Sequence, residues 1–231
     1  MEVVNSYYAT TARIRYYGQI PTAVRKSGDE VRAKGVKSYR FGEDVLSDWE
    51  NALESAPSHP IDLSRRKEPA HEAFANLALD LNSLHAFTKL WGFIAANADA
   101  ETGEIFTQIK QIAPMQRLLQ RAWTGDAGAI KAIAKDVKVR LDVSAQGIDI
   151  AVVELWNLVR LLFLRDYWDG RTKVCANPDC SSRYFLEQRK GQQYCSHKCA
   201  VLMNVRRFRQ RQTTAQRSKP TQQNSRKGEP K

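Results

Sequence analysis

Residues 175–199 read CANPDCSSRYFLEQRKGQQYCSHKC, and this stretch contains all four cysteines of the chain. The cysteines form two close pairs, Cys175-x4-Cys180 and Cys195-x3-Cys199, with fourteen residues between them. Each pair can bend back to present two sulfurs to the same tetrahedral zinc ion, at about 2.3 Å from the metal. Four thiolates leave no open coordination position, so the spacing predicts one structural zinc ion rather than a catalytic one.

The expected compartment also favours metal binding over disulfide bonds. The first residues, Met1 to Ser6, lack a charged start followed by an apolar segment, so no secretory signal is expected. We therefore expect a cytoplasmic protein, and in a reducing cytosol clustered cysteines bind metal more often than they form disulfides. An iron–sulfur cluster is the alternative metal group, although the spacing and the basic segment that follows fit zinc better. His197 lies inside the second pair and is expected to be exposed and not to bind the metal.

The positive charge of the chain is concentrated at its C-terminal end. Residues 171–231 contain fifteen Lys or Arg and three Asp or Glu, a net charge of +12. Residues 1–170 contain 21 basic and 22 acidic side chains, a net charge of −1. This partition indicates a polyanion-binding end joined to a neutral domain. A solvated basic tail that aids solubility is the alternative interpretation.

A basic helix is predicted directly after the cysteines, because residues 198–211 contain no Gly or Pro. Val201, Val205 and Phe208 recur at helical spacing, and we expect this apolar side to pack on the hairpin between the cysteine pairs. Arginines on more than one side of a helix suit phosphate contacts around a groove. The candidate nucleic-acid contacts are Lys198, Arg206, Arg207, Arg209 and Arg211. A basic helix docked on an acidic surface is the alternative.

Residues 1–170 are predicted to be mainly helical. Apolar residues recur at three- and four-residue steps from Glu72 to Asn97, which predicts one helix of about seven turns. Val137 to Val143 alternate between apolar and polar residues, which indicates a strand without an obvious partner. Residues 11–20 are expected to be a strand or an irregular arm. Further helices are predicted over 42–56, over 105–112 with a stop near Pro114, over 115–123, over 129–135, and over 150–167 with Asp149 as N-cap.

The predicted fold class is mainly α, in three parts. A helical sensing or dimerisation domain over residues 1–170 precedes a treble-clef-like four-cysteine zinc finger over 171–212 and a disordered basic tail over 213–231. No apolar run of about 18 residues occurs, so no membrane span is expected. No Gly-rich phosphate loop, no Gly-x-Ser-x-Gly elbow and no second zincin histidine is present, so no enzyme is expected. A homodimer and a small-molecule effector pocket in the helical domain stay open.

A family resemblance appears in the cysteine module. It is carried by Cys175-Ala-Asn-Pro-Asp-Cys180, Tyr184-Phe185, Tyr194-Cys195-Ser196 and Cys199, with Arg206-Arg207-Phe208-Arg209 behind. These residues resemble the CGNR zinc finger, which usually follows a helical domain called ABATE in bacterial proteins described as stress-induced transcription regulators. The resemblance implies zinc on the four cysteines and DNA binding by the finger in a transcription regulator. The preceding helical domain agrees with that family in layout alone.

One difference from the family lies at the fourth cysteine. The family takes its name from Cys-Gly-Asn-Arg, whereas this chain has Cys199-Ala200-Val201-Leu202. Metal binding does not depend on the three replaced residues, but no role of the family's Asn and Arg in DNA contact is carried over. An RNA-binding protein and a zinc-stapled protein-interaction module remain alternatives to a DNA-binding protein.

Overall fold

The structure, a computed structural model, describes residues 13–16, 21, 23–34, 68–99, 101–102, 104–144 and 147–217. The helix predicted over 42–56 lies outside these residues, as does the tail segment 218–231. Within the described part of the chain, no helix has both the length and the apolar character needed to cross a membrane.

The described residues form six helices and nine strands, in groups of one to three along the chain. The helices are α1 Ala70–Ala75, α2 Leu81–Trp91, α3 Ile109–Trp123, α4 Ala127–Ala134, α5 Leu155–Trp168 and α6 His197–Arg217. The strands are β1 Arg13–Tyr16, β2 Val24–Ser27, β3 Glu30–Ala33, β4 Asn97–Ala98, β5 Ile105–Gln108, β6 Arg140–Ser144, β7 Gly147–Val152, β8 Thr172–Val174 and β9 Tyr184–Leu186. The protein is therefore mixed α and β, and the prediction of a mainly α fold is wrong.

One sheet has the strand order β1-β7-β6. β1 runs parallel to β7, with Ile14 opposite Ile150, and β6 runs antiparallel to β7. The predicted strand over 137–143 corresponds to β6, and its partner β7 follows it directly in the chain. The helix predicted over 150–167 is wrong at its start, because residues 147–152 form β7 and α5 begins at Leu155 after Glu154. Ile148, Ile150 and Val152 alternate with smaller or polar residues, which suits a strand.

A second sheet has the order β2-β3-β5-β4, with antiparallel neighbours. The helix predicted over 105–112 is wrong in its first half, because Ile105 and Thr107 are buried in alternation along β5. The stop predicted near Pro114 is also wrong. α3 begins with a capping box between Gln108 and Gln111 and continues through Pro114, which is exposed on its second turn.

The single helix predicted over 72–97 is two helices. α1 ends at Ala75 with Asn76 as its C-cap, and α2 begins after Asp80, whose carboxylate accepts a hydrogen bond from the Ser83 N–H at 2.9 Å. Gly92 ends α2 with a φ of 95°, a conformation that glycine adopts without steric cost. The apolar spacing of this segment is helical throughout, but a capping aspartate and a glycine break the backbone into separate elements.

A continuous apolar core extends from the helices of residues 70–168 into the β8–β9 hairpin. Phe74 of α1, Leu84 of α2, Leu119 of α3 and Phe163 of α5 are fully buried in it. Leu186 of β9 belongs to the same cluster and is 5% exposed. The cysteine module is therefore packed on the rest of the protein.

A buried polar pair fixes α1 against α5 inside this core. His71 Nε2 lies 3.0 Å from Asp166 Oδ2, and both side chains are fully buried. Burial lowers the pKa of His71, although the neighbouring Asp166 carboxylate acts in the opposite direction. Arg171, directly before β8, also contacts Asp166 at 3.0 Å, which brings the start of the cysteine module to the same point.

Candidate metal centre and basic helix

The four cysteine sulfurs lie within 4.8 Å of one another. The Sγ–Sγ distances are 3.4 Å between Cys180 and Cys195, 3.6 Å between Cys180 and Cys199, and 3.7 Å between Cys195 and Cys199. Four sulfurs at about 2.3 Å from a tetrahedral zinc ion are separated by about 3.8 Å, so the cluster has the size that one zinc ion requires. All four cysteines are free thiols. This set of soft donors fits a structural zinc site.

Backbone hydrogen bonds bring the two cysteine pairs together. The Cys175 N–H donates to the Arg183 carbonyl at 2.8 Å, which closes the loop that carries the first pair onto the β8–β9 hairpin. The Ala176 N–H donates to the Gln193 carbonyl at 2.9 Å. That second bond holds the segment before Cys195 beside the first pair, so both pairs face the same point.

The second cysteine pair lies at the start of α6. Cys199 is in the first turn, and the Ser196 hydroxyl accepts a hydrogen bond from its N–H at 3.4 Å, as an N-cap side chain does. A helix N-terminus carries partial positive charge and stabilises a thiolate there. Cys199 thus belongs both to the metal site and to the first turn of the basic helix.

Asn177 supports the cluster, although the sequence reasoning did not single it out. Its side chain is 4% exposed, and its Nδ2 donates to Cys199 Sγ at 3.4 Å. This hydrogen bond lowers the pKa of Cys199 to about 7, whereas burial raises the pKa of Cys180. Hydrogen bonds to the ligands of a metal orient them and tune their basicity. The signal in the sequence was the Asn-Pro-Asp turn between the first two cysteines.

The β8–β9 hairpin docks on α3 through Trp123. The Trp123 indole N–H donates to the Lys173 carbonyl at 3.0 Å, and its ring meets Tyr184 edge-on with centroids 5.9 Å apart. With Leu186 buried beside them, these contacts fix the hairpin, and hence the metal site, on the main core.

The basic candidates on α6 have two different surroundings. Lys198, Arg207, Arg209 and Arg211 are exposed. Arg206 is exposed as well, but it also forms an ion pair with the carboxylate of Asp179, in the loop between the first two cysteines. The structure thus presents all five candidates to solvent, and one of them also ties α6 to that loop.

The predicted packing of the apolar side of α6 on the hairpin is wrong. Val201, Val205 and Phe208 are 44%, 40% and 61% exposed. Cys199 is buried and Met203 is half-buried, and these two residues lie on the side of α6 toward the metal site. The apolar side therefore faces solvent.

A cleft of about 610 Å³ lies beside the contact between α1 and the cysteine module. Its lining includes Glu72 of α1 and, from the module, Leu186, Arg189, Tyr194 and His197. Burial raises the pKa of Glu72 to about 7, and the negative charge of Glu68 adds to the effect. His197 is exposed and does not belong to the sulfur cluster, as the sequence predicted.

Residues 171–212, which contain the four cysteines and most of α6, match the CGNR zinc finger family. The four cysteines hold one structural zinc ion, and we call residues 171–212 the zinc finger. The matched range does not include residues 1–170, for which the ABATE-like assignment stays a prediction. No curated protein matches the chain.

Proposed function

We propose that the zinc finger binds duplex DNA and that the chain is a transcription regulator. The observation that carries the proposal is α6, which begins at the metal site and has 21 residues, a length of about 31 Å. Its exposed basic residues include Lys198, Arg207, Arg209 and Arg211, none of which has the ion pair that Arg206 forms with Asp179 among the described contacts. Because the fourth metal ligand lies in its first turn, the zinc ion holds this helix in a fixed orientation on the core.

The charge distribution supports a polyanionic partner. Residues 171–231 carry a net charge of +12, whereas residues 1–170 are close to neutral. Neutralising phosphates releases counterions, which makes such binding favourable and sensitive to salt. The closed set of four thiolates supports a binding role over a catalytic one, since the metal has no position left for a substrate.

Duplex DNA is favoured over duplex RNA by the shape of the binding element. A single projecting helix is about 10–12 Å wide with its side chains, which matches the major groove of B-form DNA at about 12 Å. The major groove of A-form RNA is too narrow for side chains to read. Duplex RNA is thus the less favoured partner, and a structured RNA serves as the competing ligand in the binding experiment.

Residues 1–170 are proposed to sense an effector or to dimerise. The cleft between Glu72 and the zinc finger supports the first role, because a small molecule bound there would contact both parts of the protein. The binding free energy of the molecule would then depend on the position of the finger, so that binding would favour one position over another.

The salt dependence of binding tests the proposal. The zinc-loaded full chain is titrated into a fluorescent 24-base-pair duplex DNA, and into a structured RNA, at several salt concentrations. Affinity should fall steeply with rising salt, and replacing Arg207 and Arg209 by Ala should reduce the magnitude of the slope of log affinity against log salt by about two. The matched control replaces Lys131 and Lys135, two exposed basic residues at the end of α4, and should leave the slope unchanged.

Three results would overturn the proposal. They are absent binding, binding that is independent of salt, and tighter binding to the RNA than to the DNA at equal salt.

A further inference from the structure

α6 presents an apolar stripe on the side that faces away from the metal site. Val205 and Phe208 come four and seven residues after Val201, so the three side chains share one side of the helix. Cys199 and Met203 are each two residues from Val201, which at about 100° per residue places both on the opposite side. We call Val201, Val205 and Phe208 the outward stripe; each of the three is at least 40% exposed.

Basic side chains border the outward stripe along both edges. At about 100° per residue, Lys198 and Arg209 lie about 60° and 80° from Val201 on one side, and Arg211 lies about 80° from it on the other. All three are exposed. The surface thus has an apolar centre between two positive rims.

A second copy of the chain is a poor occupant for this surface. In a helix pair that buried the outward stripe, Arg209 and Arg211 would flank the seam, and the segment from Lys198 to Arg211 contains no acidic residue to pair with them. Like charges beside the seam of a helix pair oppose association.

The major groove of duplex DNA has the complementary arrangement. Its two walls are lined by phosphates, and its floor carries the C5-methyl group of every thymine, which is an apolar feature that no other base presents there. A helix with an apolar centre and positive rims can place the centre against thymine methyl groups and the rims against both walls. Aliphatic and aromatic side chains are known to make such apolar contacts.

We propose, on the basis of the DNA binding proposed above, that the outward stripe reads thymine in the major groove. Val205 and Phe208, the second and third members of the stripe, determine this specificity by contact with C5-methyl groups. The rim residues Lys198, Arg209 and Arg211 hold the helix in the groove through phosphate contacts and supply the part of the affinity that does not depend on sequence.

The test compares two duplexes that differ in methyl groups alone. One is a 24-base-pair duplex of alternating A·T pairs, and the other has deoxyuridine in place of every thymidine. The zinc-loaded full chain should bind the thymine duplex more tightly, by about fourfold for each methyl group that becomes buried. The double variant Val205→Ala, Phe208→Ala should bind both duplexes with nearly equal affinity.

Leu90→Ala is the matched control, because Leu90 is an apolar residue of α2 that is 44% exposed and lies outside the zinc finger. This variant should keep the preference for thymine. Zinc content and helical circular dichroism are measured for each variant, and both should be unchanged because the replaced side chains are exposed.

Three outcomes separate this inference from the proposal on which it rests. Equal affinity of the wild type for the two duplexes overturns the inference and leaves DNA binding intact. Binding to neither duplex overturns both. If the double variant keeps the thymine preference but changes the sedimentation coefficient of the free protein, the outward stripe is a self-association surface and the inference is wrong.

Discussion

Asn76 holds the backbone of Tyr184 with both ends of its side-chain amide. Its Nδ2 donates to the Tyr184 carbonyl at 2.6 Å, and its Oδ1 accepts from the Tyr184 N–H at 3.0 Å. The amide thereby pairs with β9 as a neighbouring strand would, on the edge that β8 does not occupy. Residue 76 ends α1 and residue 184 lies in the zinc finger, so this pair joins two segments that are distant in the sequence.

Replacement of Asn76 should therefore weaken the docking of the zinc finger. Asn76→Ala should lower the free energy of unfolding by about 2 kcal/mol, because two hydrogen bonds are lost at about 1 kcal/mol each. Urea denaturation of the zinc-loaded chain measures the change. Asn82→Ala, which removes one exposed hydrogen bond to Lys26, is the control and should cost less than about 0.5 kcal/mol. Equal effects of the two variants would contradict the docking role.

Removal of the Asn177 amide should weaken zinc binding. Its hydrogen bond stabilises the Cys199 thiolate, and the loss of such a partner of a metal ligand lowers metal affinity by about 10- to 100-fold. A competition titration against a chromogenic chelator compares Asn177→Ala with Asn204→Ala, an exposed amide on α6. If both variants hold zinc as tightly as the wild type, Asn177 does not support the metal site.

Release of Arg206 from its ion pair should strengthen DNA binding. Asp179→Asn leaves the guanidinium free for a phosphate, and since an exposed ion pair is worth at most about 1 kcal/mol, the affinity should rise by about two- to fivefold. Glu101→Gln makes the same change of net charge at a distant exposed site and should have a smaller effect. A fall in affinity for Asp179→Asn would instead mean that the ion pair positions α6 for binding.

The stability of the protein should depend on pH through Glu72. Its pKa is raised from 4.5 to about 7, first by burial, so the folded state holds this proton more tightly than the unfolded state. The resulting stabilisation is present at low pH and is lost as the pH rises toward 7. Between pH 5.5 and 8, the wild type should lose about 1–2 kcal/mol relative to Glu72→Gln, a figure reduced for the partial exposure of the side chain. Parallel stability curves for the two proteins would show that the carboxyl group titrates normally.

The metal site was predictable from the sequence because its four ligands lie close together along the chain. Two cysteine pairs at short spacing are typical of a site in which four sulfurs bind one zinc ion, and the charge of residues 171–231 can be counted directly. Asn177 was missed because an asparagine in a turn is common, and its contact with Cys199 spans 22 positions. The ion pair of Arg206 with Asp179 was missed for the same reason.

The fold of residues 1–170 was less predictable because its strands pair over long distances. β1 pairs with β7 from residue 13 to residue 149, and β3 pairs with β5 across the whole of α1 and α2. Short segments such as Ile105–Gln108 fit a helix as well as a strand by spacing alone, and the partner strand decides between them. The outward stripe on α6 was assigned to the interior because apolar spacing shows which residues share a side but not what that side faces.

DNA binding should depend on zinc, because the four cysteines, through zinc, hold α6 in the orientation proposed to bind DNA. The affinity of the full chain for the 24-base-pair duplex is measured as purified with zinc, after chelation under reducing conditions, and after zinc is restored. Chelation should lower the affinity by at least tenfold, and restoring zinc should recover it. The same affinity in all three samples would show that zinc does not hold α6 for DNA binding.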